Sequence, residues 1–295
     1  MKKFDFPNSK RRNFWLKKVL WRHAVGVVVA AFAIFPLAWM ASAAFDVTGQ
    51  LSTQKLIPLH RGFTNFSQLF SNTEKPFLTW AKNSLVVAIS VAAMQTIIGA
   101  AAAYSLSRHR FKGRKITLTT ILIVQMFPQL LAATTLFLII NTFGKTFVFL
   151  GLGHQLPLIL IFGGAALGVN TWMLKGFFDT IPSEIDEAAT IDGASHFIIF
   201  TKIIIPLAVP VFVVIFLLSL IAILNEYLIT SVILGLSGKN MTVAVGLQQF
   251  ISGQYGKNWG PFTAGALLAT IPVLALFMFL QKFLVSGLVS GSTKG

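Results

Sequence analysis

The sequence contains no cysteine and few charged residues. Of its 295 residues, 11% are charged and 55% are hydrophobic. The absence of cysteine excludes disulfides, catalytic thiolates and cysteine-ligated metal sites. Soluble domains carry roughly 25% charged residues, more than twice the fraction found here. The composition therefore predicts a protein with several membrane spans and not one large soluble core.

Acidic residues are also scarce, and the basic residues are unevenly distributed. Nine Asp and Glu face 24 Lys and Arg, which gives a formal charge of +15. The tail up to Arg22 carries eight of the basic residues, and the loop 107–115 carries five. Both clusters flank apolar runs, which is typical of the cytoplasmic ends of membrane spans. Because no separate basic domain exists, the charge does not indicate nucleic-acid binding.

Long apolar runs predict an all-α polytopic membrane protein with six transmembrane helices. A span needs about 20 apolar residues to cross the hydrocarbon core. With both basic clusters on the inner side and an even number of spans, both termini are expected in the cytoplasm. The six predicted spans are about 22–45, 83–106, 116–140, 157–175, 206–234 and 262–285.

This topology predicts a single transmembrane domain over residues 22–285. A basic cytoplasmic tail, 1–21, precedes the domain, and a cytoplasmic tail, 286–295, follows it. The first span is expected to be retained, because its apolar run is longer than the 7–15 residues of a signal-peptide core. The predicted outer loops are 46–82, 141–156 and 235–261, and the notable inner loop is 176–205.

The inner loop 176–205 concentrates negative charge, since it holds five of the nine acidic residues. Ser183 and Asp186 form a Ser-x-x-Asp capping pattern for a short helix. Gly193 is suited to end that helix in a left-handed conformation, and Pro206 suits the first turn of the next span. These features predict a docking surface, although a capped surface helix without a partner gives the same local pattern.

The same loop carries a spaced motif, Glu187-Ala188-Ala189-x3-Gly193-x9-Ile203-x-Ile205-Pro206. This motif resembles the EAA motif of bacterial ABC-importer permeases, in which the position of Ile205 is Leu. Within that family, the chain looks most similar to the six-span permease of maltose/maltodextrin importers. Less specific resemblances lie in three further stretches: Gln125–Pro128, Thr242–Gln249 and Gly287–Gly295.

The resemblance implies a transport subunit, not an enzyme, in the bacterial plasma (inner) membrane. Its fold would be the type I ABC importer bundle, paired with a second permease. An ATPase homodimer would dock on the inner loops, and an extracytoplasmic binding protein would deliver a sugar, either maltodextrin or another substrate such as trehalose, another oligosaccharide or glycerol phosphate. The residues implied in ATPase coupling are Glu187, Ala188, Ala189, Gly193, Ile203 and Pro206.

The sequence has no nucleotide-binding loop of the form G-x4-GK[ST]. The nearest match, Gly144-Lys145-Thr146, has Ile139 where the first glycine belongs. ATP and Mg²⁺ are therefore expected on the partner ATPase, with no cofactor or metal bound by this chain.

Three further features are weaker candidates, each with a plain structural alternative. Glu226 and Asn225 are candidates for the substrate path, because burying a carboxylate in the membrane costs free energy and usually marks a functional site. The structural alternative is a helix–helix hydrogen bond or a position at the membrane interface. Pro128 interrupts the third span as a hinge or as a static kink. Tyr255 and Trp259 are candidates for binding-protein contact, or they belong to a solvated connector.

Two other function classes fit less well. An intramembrane enzyme is disfavoured because the chain contains no HExxH and no GxSxG motif. A proton- or sodium-coupled carrier is disfavoured because such carriers usually need several intramembrane ionisable residues, whereas Glu226 is the one firm intramembrane carboxylate. Such a carrier would also not need the acidic inner loop.

Overall fold

The computed structural model describes residues 19–48, 55–58, 60–236, 238–252 and 257–292, with the backbone alone at 129 and 282–292. These residues are mainly helical, and their one β-type pairing is an isolated bridge between Asp46 and Arg61. The α-helices are α1 (Trp21–Phe45), α2 (Thr64–Ser71), α3 (Phe77–Arg108), α4 (Arg114–Gln125), α5 (Gln129–Thr146), α6 (Gln155–Gly164), α7 (Val169–Phe178), α8 (Ser183–Ile191), α9 (His196–Ile198), α10 (Ile205–Leu224), α11 (Leu228–Leu234), α12 (Val243–Gln248) and α13 (Trp259–Ser292). Short 3₁₀ helices lie at Val148–Leu150 and Ala165–Leu167, and a π-helical segment lies at Ile199–Ile204.

Four helical segments among the described residues are long and apolar enough to cross a membrane. They are Trp21–Phe45, Phe77–Arg108, His196–Leu224 and Trp259–Gln281. Two bent pairs of helices pass the same test: α4 with α5, at 95°, and α6 through its 3₁₀ turn with α7, at 42°. If each bent pair is one span, the total is the predicted six.

Three predicted spans are interrupted in the structure. The fourth, 157–175, bends at the 3₁₀ turn between α6 and α7. The third breaks completely at Pro128, whose extended backbone (φ −63°, ψ 120°) separates α4 from α5. Proline disfavours helical backbone in the residue before it, which explains why α4 cannot continue. The fifth predicted span, 206–234, is wrong in its end, because α10 stops at Leu224 and α11 begins only at Leu228.

The described residues form two compact units, of which the first comprises those up to residue 68 together with 258–267. Its centre is the buried Asn65, which is 3% exposed. The Asn65 amide donates hydrogen bonds to the carbonyls of Ala44 at 3.0 Å and Asp46 at 2.8 Å. These carbonyls belong to the end of α1, where helical partners run out. Gly260 lies so close that a Cβ there would be 2.1 Å from Asn65 Oδ1.

The second unit comprises the described residues within 69–257 and 268–292, and α3 lies at its core. Small residues on α3, such as Ala88, Ala92 and Ala103, are fully buried and let neighbouring helices approach closely. One cluster, called the inner core below, joins α3 to α7 and α10. Its buried members are Ala100, Ala103, Tyr104, Leu174, Phe178, Ile181, Ile199, Ile204, Ala208 and Ile215.

Candidate functional site

The predicted short helix in the inner loop is present as α8, Ser183–Ile191. Gly193 follows it with a left-handed backbone, φ +83°. The Gly193 N–H donates to the Thr190 carbonyl at 3.0 Å, and the Ala194 N–H donates to the Ala189 carbonyl at 2.9 Å. These two bonds are the Schellman motif that satisfies the last helical carbonyls. The predicted role of Gly193 as a helix terminator is confirmed.

The predicted capping pattern at the other end of α8 is wrong. Ser183 is already helical, Pro182 occupies the cap position, and no side chain caps the helix. The Asp186 carboxylate instead forms an ion pair with Arg108, with Oδ2 2.5 Å from Nε. A charged guanidinium is a stronger partner for a carboxylate than a backbone N–H, which explains the difference.

One face of helix α8 packs against the rest of the chain, and the other face is exposed. Ala189 is half-buried and packs against the inner core. Glu187 and Ala188 are exposed, and Ile191 is 86% exposed. Phe197, just beyond the helix, is 74% exposed. Because acidic and apolar residues are exposed together here, this face is better suited to contact another protein than to contact lipid. Residues 183–197, which the sequence predicts to form a docking surface, are called the docking segment below.

The docking segment leads directly into the next membrane helix. The Ser195 side chain accepts a hydrogen bond from the Ile198 N–H at 3.4 Å and so caps α9. Ile203 lies in the π-helical segment and is half-buried, whereas Ile204 is fully buried in the inner core. Pro206 stands in the first turn of α10, as predicted, directly after the π-helical segment.

Charge pairing also fixes the start of the inner loop, at Asp179. Its carboxylate pairs with Lys175 and accepts a hydrogen bond from Ser107 Oγ at 2.6 Å. Partial burial acts to raise the Asp179 pKa. The hydrogen bonds from Lys175 and Ser107, together with the charges of Lys175 and Arg114, outweigh that effect and hold this pKa below its usual range.

Comparison with known proteins identifies the framework that carries this segment. Residues 95–290 match the family described as binding-protein-dependent transport system inner membrane component. The chain belongs to this family. The permease is 42% identical over 262 residues to the maltodextrin transport system permease protein MdxG of Bacillus subtilis, covering 89% of this chain and 91% of that one.

Two further comparisons show the breadth of the similarity. The permease is 35% identical over 279 residues to the galactooligosaccharides transport system permease protein GanQ of Bacillus subtilis, covering 94% of this chain and 96% of that one. A crystal structure of a bacterial ABC transporter involved in the import of the acidic polysaccharide alginate matches with a TM-score of 0.74 and 21% identity, covering 94% of this chain and 99% of that one. The fold is thus that of an ABC importer permease.

The structure places Glu226 and Asn225 at the break between α10 and α11. The Glu226 carboxylate accepts hydrogen bonds from the N–H groups of Ile229 and Thr230, both at 2.8 Å. Asn225 Nδ2 donates to the Ile221 carbonyl at 2.8 Å. Glu226 therefore caps α11, which favours the structural interpretation of this carboxylate and leaves its part in the substrate path a prediction. Pro128 lies at a different break, between α4 and α5.

Of the two aromatic residues predicted in the last outer loop, Tyr255 lies outside the described residues. Trp259 is half-buried at the start of α13, with its ring edge-on to Phe262 at 5.7 Å. Residues 238–250 are not a solvated connector, because they pack on the N-terminal part of α3. Trp80 is fully buried there, and its Nε1 donates to the Gly238 carbonyl at 3.3 Å.

Sequence reasoning missed three polar contacts within the second unit. Asn170 Nδ2 donates to Gln95 Oε1 and to Ser219 Oγ, both at 3.0 Å, and so joins α7 to α3 and α10. In the sequence, Arg108 is one member of the basic cluster that predicts the topology, and the structure pairs it with Asp186 of the docking segment. Single polar residues within apolar helices were the available signal for the two contacts of Asn170. No sequence signal links Arg108 to Asp186.

Proposed function

We propose that this permease imports a maltodextrin and that its docking segment binds the ATPase that drives transport. The observation that carries the proposal is α8, a short helix that exposes Glu187, Ala188 and Ile191 outside the helical core. Family membership supports the transport role, and the 42% identity to a maltodextrin permease supports the substrate class.

The proposed coupling residues have two roles. Some would contact the ATPase directly, and the others would hold the contacting face of α8 in position. Glu187 and Ala188 would meet the ATPase, since both are exposed on α8. Ala189, which packs on the inner core, and Gly193, which ends the helix, would fix the position of that face. Ile203 and Pro206 would connect the segment to α10, so that a displacement of α8 moves the membrane helix that follows.

The partners follow from the same proposal. ATP and Mg²⁺ would bind to a homodimeric ATPase, because this sequence has no phosphate-binding loop. A second permease would complete the translocation path, and a soluble binding protein would deliver the sugar outside. Tyr255 and Trp259 stay candidates for contact with that protein, and Glu226, Asn225 and Pro128 stay candidates for the path. Both termini of the permease would lie in the cytoplasm.

The test uses the complete transporter, reconstituted in proteoliposomes with its ATPase, second permease and binding protein. We expect maltotriose-loaded binding protein to stimulate ATP hydrolysis and to support maltotriose uptake that stops when ATP is withdrawn. Uptake that persists without the ATPase subunit would contradict the proposal and would favour an ion-coupled carrier. Hydrolysis that the loaded binding protein does not change would also contradict it.

Galactooligosaccharide is the second candidate substrate, because the permease is 35% identical to GanQ over nearly its full length. The same assay, with the binding protein given a β-galactotriose in place of maltotriose, distinguishes the two substrates.

A Glu226→Gln variant tests whether Glu226 belongs to the substrate path. Unchanged affinity and rate would remove Glu226 from it, whereas a raised half-saturating sugar concentration with normal complex formation would support it.

A further inference from the structure

Arg108, at the inner end of α3, makes two contacts with the chain around the docking segment. Its Nε pairs with Asp186 of α8, and its Nη2 donates to the Ile181 carbonyl at 3.0 Å. The Arg108 and Asp186 side chains are only 12% and 17% exposed. Arg108 therefore holds the chain on both sides of Pro182, the residue in the cap position just before α8.

Neighbouring side chains extend this junction in both directions. Ser107 of α3 donates to Asp179 Oδ1, which fixes the beginning of the inner loop. His109 stacks edge-on against His196 at 5.2 Å, which fixes the far end of the docking segment. A cleft of about 340 Å³ lies between α3 and α8 beside these residues. Side-chain contacts across the cleft, and not close backbone packing, therefore join the two helices.

The opposite end of α3 holds the last outer loop. Asn83 Nδ2 donates to the carbonyls of Lys239 and Met241, both at 2.9 Å. Ser84 Oγ accepts from the Val243 N–H at 2.7 Å. Helix α3 runs unbroken for 32 residues, a length of about 48 Å. One uninterrupted helix thus contacts the docking segment at one end and the outer loop at the other.

We propose that Arg108 is a positioning residue that transmits movement of the docking segment to α3, and through α3 to the outer loop. This inference rests on the proposed function, because it assumes that an ATPase moves α8. Arginine suits the role because its planar guanidinium can form an ion pair with Asp186 through Nε while Nη2 donates a hydrogen bond to the Ile181 carbonyl. Lysine, with a single ammonium group, does not reproduce that fork.

The test compares Arg108→Gln with Arg110→Gln in the reconstituted complex. Arg110 lies in the same basic cluster and is exposed, so its replacement matches the loss of charge without the contacts of Arg108. We expect Arg108→Gln to retain the ATPase on co-purification and to keep basal hydrolysis. Its stimulation by maltotriose-loaded binding protein should fall on the order of tenfold, within the range for mutations that alter coupling between sites. Arg110→Gln should behave as wild type.

A charge exchange keeps the test decisive if Arg108→Gln accumulates poorly. Arg108→Asp with Asp186→Arg should recover at least part of the stimulation that each single variant loses. Stimulation in Arg108→Gln equal to wild type would overturn the inference. So would loss of stimulation in step with loss of bound ATPase, or an exchange no better than the single variants. If wild type itself shows no stimulation, the proposed function fails instead.

Discussion

Gly193 shows how one residue sets the end of the docking segment. Its φ of +83° lies where a residue with a Cβ is strained, and the cost is about 1–2 kcal/mol for most residues. No neighbouring atom lies within 4 Å of the position that a Cβ would take. Within this chain, the requirement for glycine is thus one of backbone conformation and not of space.

Replacing Gly193 tests whether ATP-driven transport needs the left-handed turn that ends α8. Gly193→Val should disrupt the Schellman turn and reduce ATP-driven maltotriose uptake at least fivefold, while the protein still inserts in the membrane. Asparagine tolerates the left-handed conformation, so Gly193→Asn should keep the turn. Uptake measured in proteoliposomes tests both variants. Full uptake by Gly193→Val would refute the coupling role of this turn.

Asp179 gives a pH dependence of defined sign. Its pKa is lowered in the folded protein, so its carboxylate stabilises the fold above the unfolded pKa of about 3.9, and that contribution disappears as pH falls through the lower, folded value. The Asp179 side chain is 42% exposed, which limits the effect to below about 1 kcal/mol. The Tm difference between wild type and Asp179→Asn should stay constant from pH 8 to pH 5 and shrink below about pH 4. A difference that grows with acidification would contradict this assignment.

At the scale of elements, the contact between α3 and α12 depends on a missing side chain. A Cβ at Gly246 would lie 2.2 Å from the ring of the fully buried Trp80. Gly246→Ala should therefore lower stability by about 1–3 kcal/mol, the usual cost of overpacking. Gly176→Ala, in α7 with open space around it, is the matched control and should be neutral or slightly stabilising. Equal Tm values for the two variants would show that the ring moves aside easily.

The elements differ in how far the sequence predicts them. Apolar run length is local information, so it identified the spans, and Pro128 marked the break in the third. The end of α10 was missed, because apolar residues resume soon after Asn225 and Glu226, so the two stretches look like one span, whereas the Glu226 carboxylate starts a new helix. The cap at Ser183 was also wrong, because Asp186 pairs with Arg108, a residue distant in sequence that no local pattern reveals.

At the scale of the whole molecule, the distribution of positive charge predicts the orientation. The absence of cysteine allows this to be measured directly, since one introduced cysteine is the only labelling site. Thr73 and Lys112 are both exposed and lie in predicted outer and inner loops. In right-side-out vesicles, an impermeant maleimide should label Thr73→Cys at once and Lys112→Cys only after permeabilisation. The reverse order of labelling would invert the topology.

The central claim is that the docking segment contacts the ATPase, and site-specific photo-cross-linking in the active complex tests it most directly. A photoreactive amino acid at Ile191, which is 86% exposed on α8, should cross-link to the ATPase subunit. The same probe at Phe111, 44% exposed in the neighbouring inner loop, should not. A complex that hydrolyses ATP in response to loaded binding protein, yet gives no cross-link at Ile191, would contradict the account.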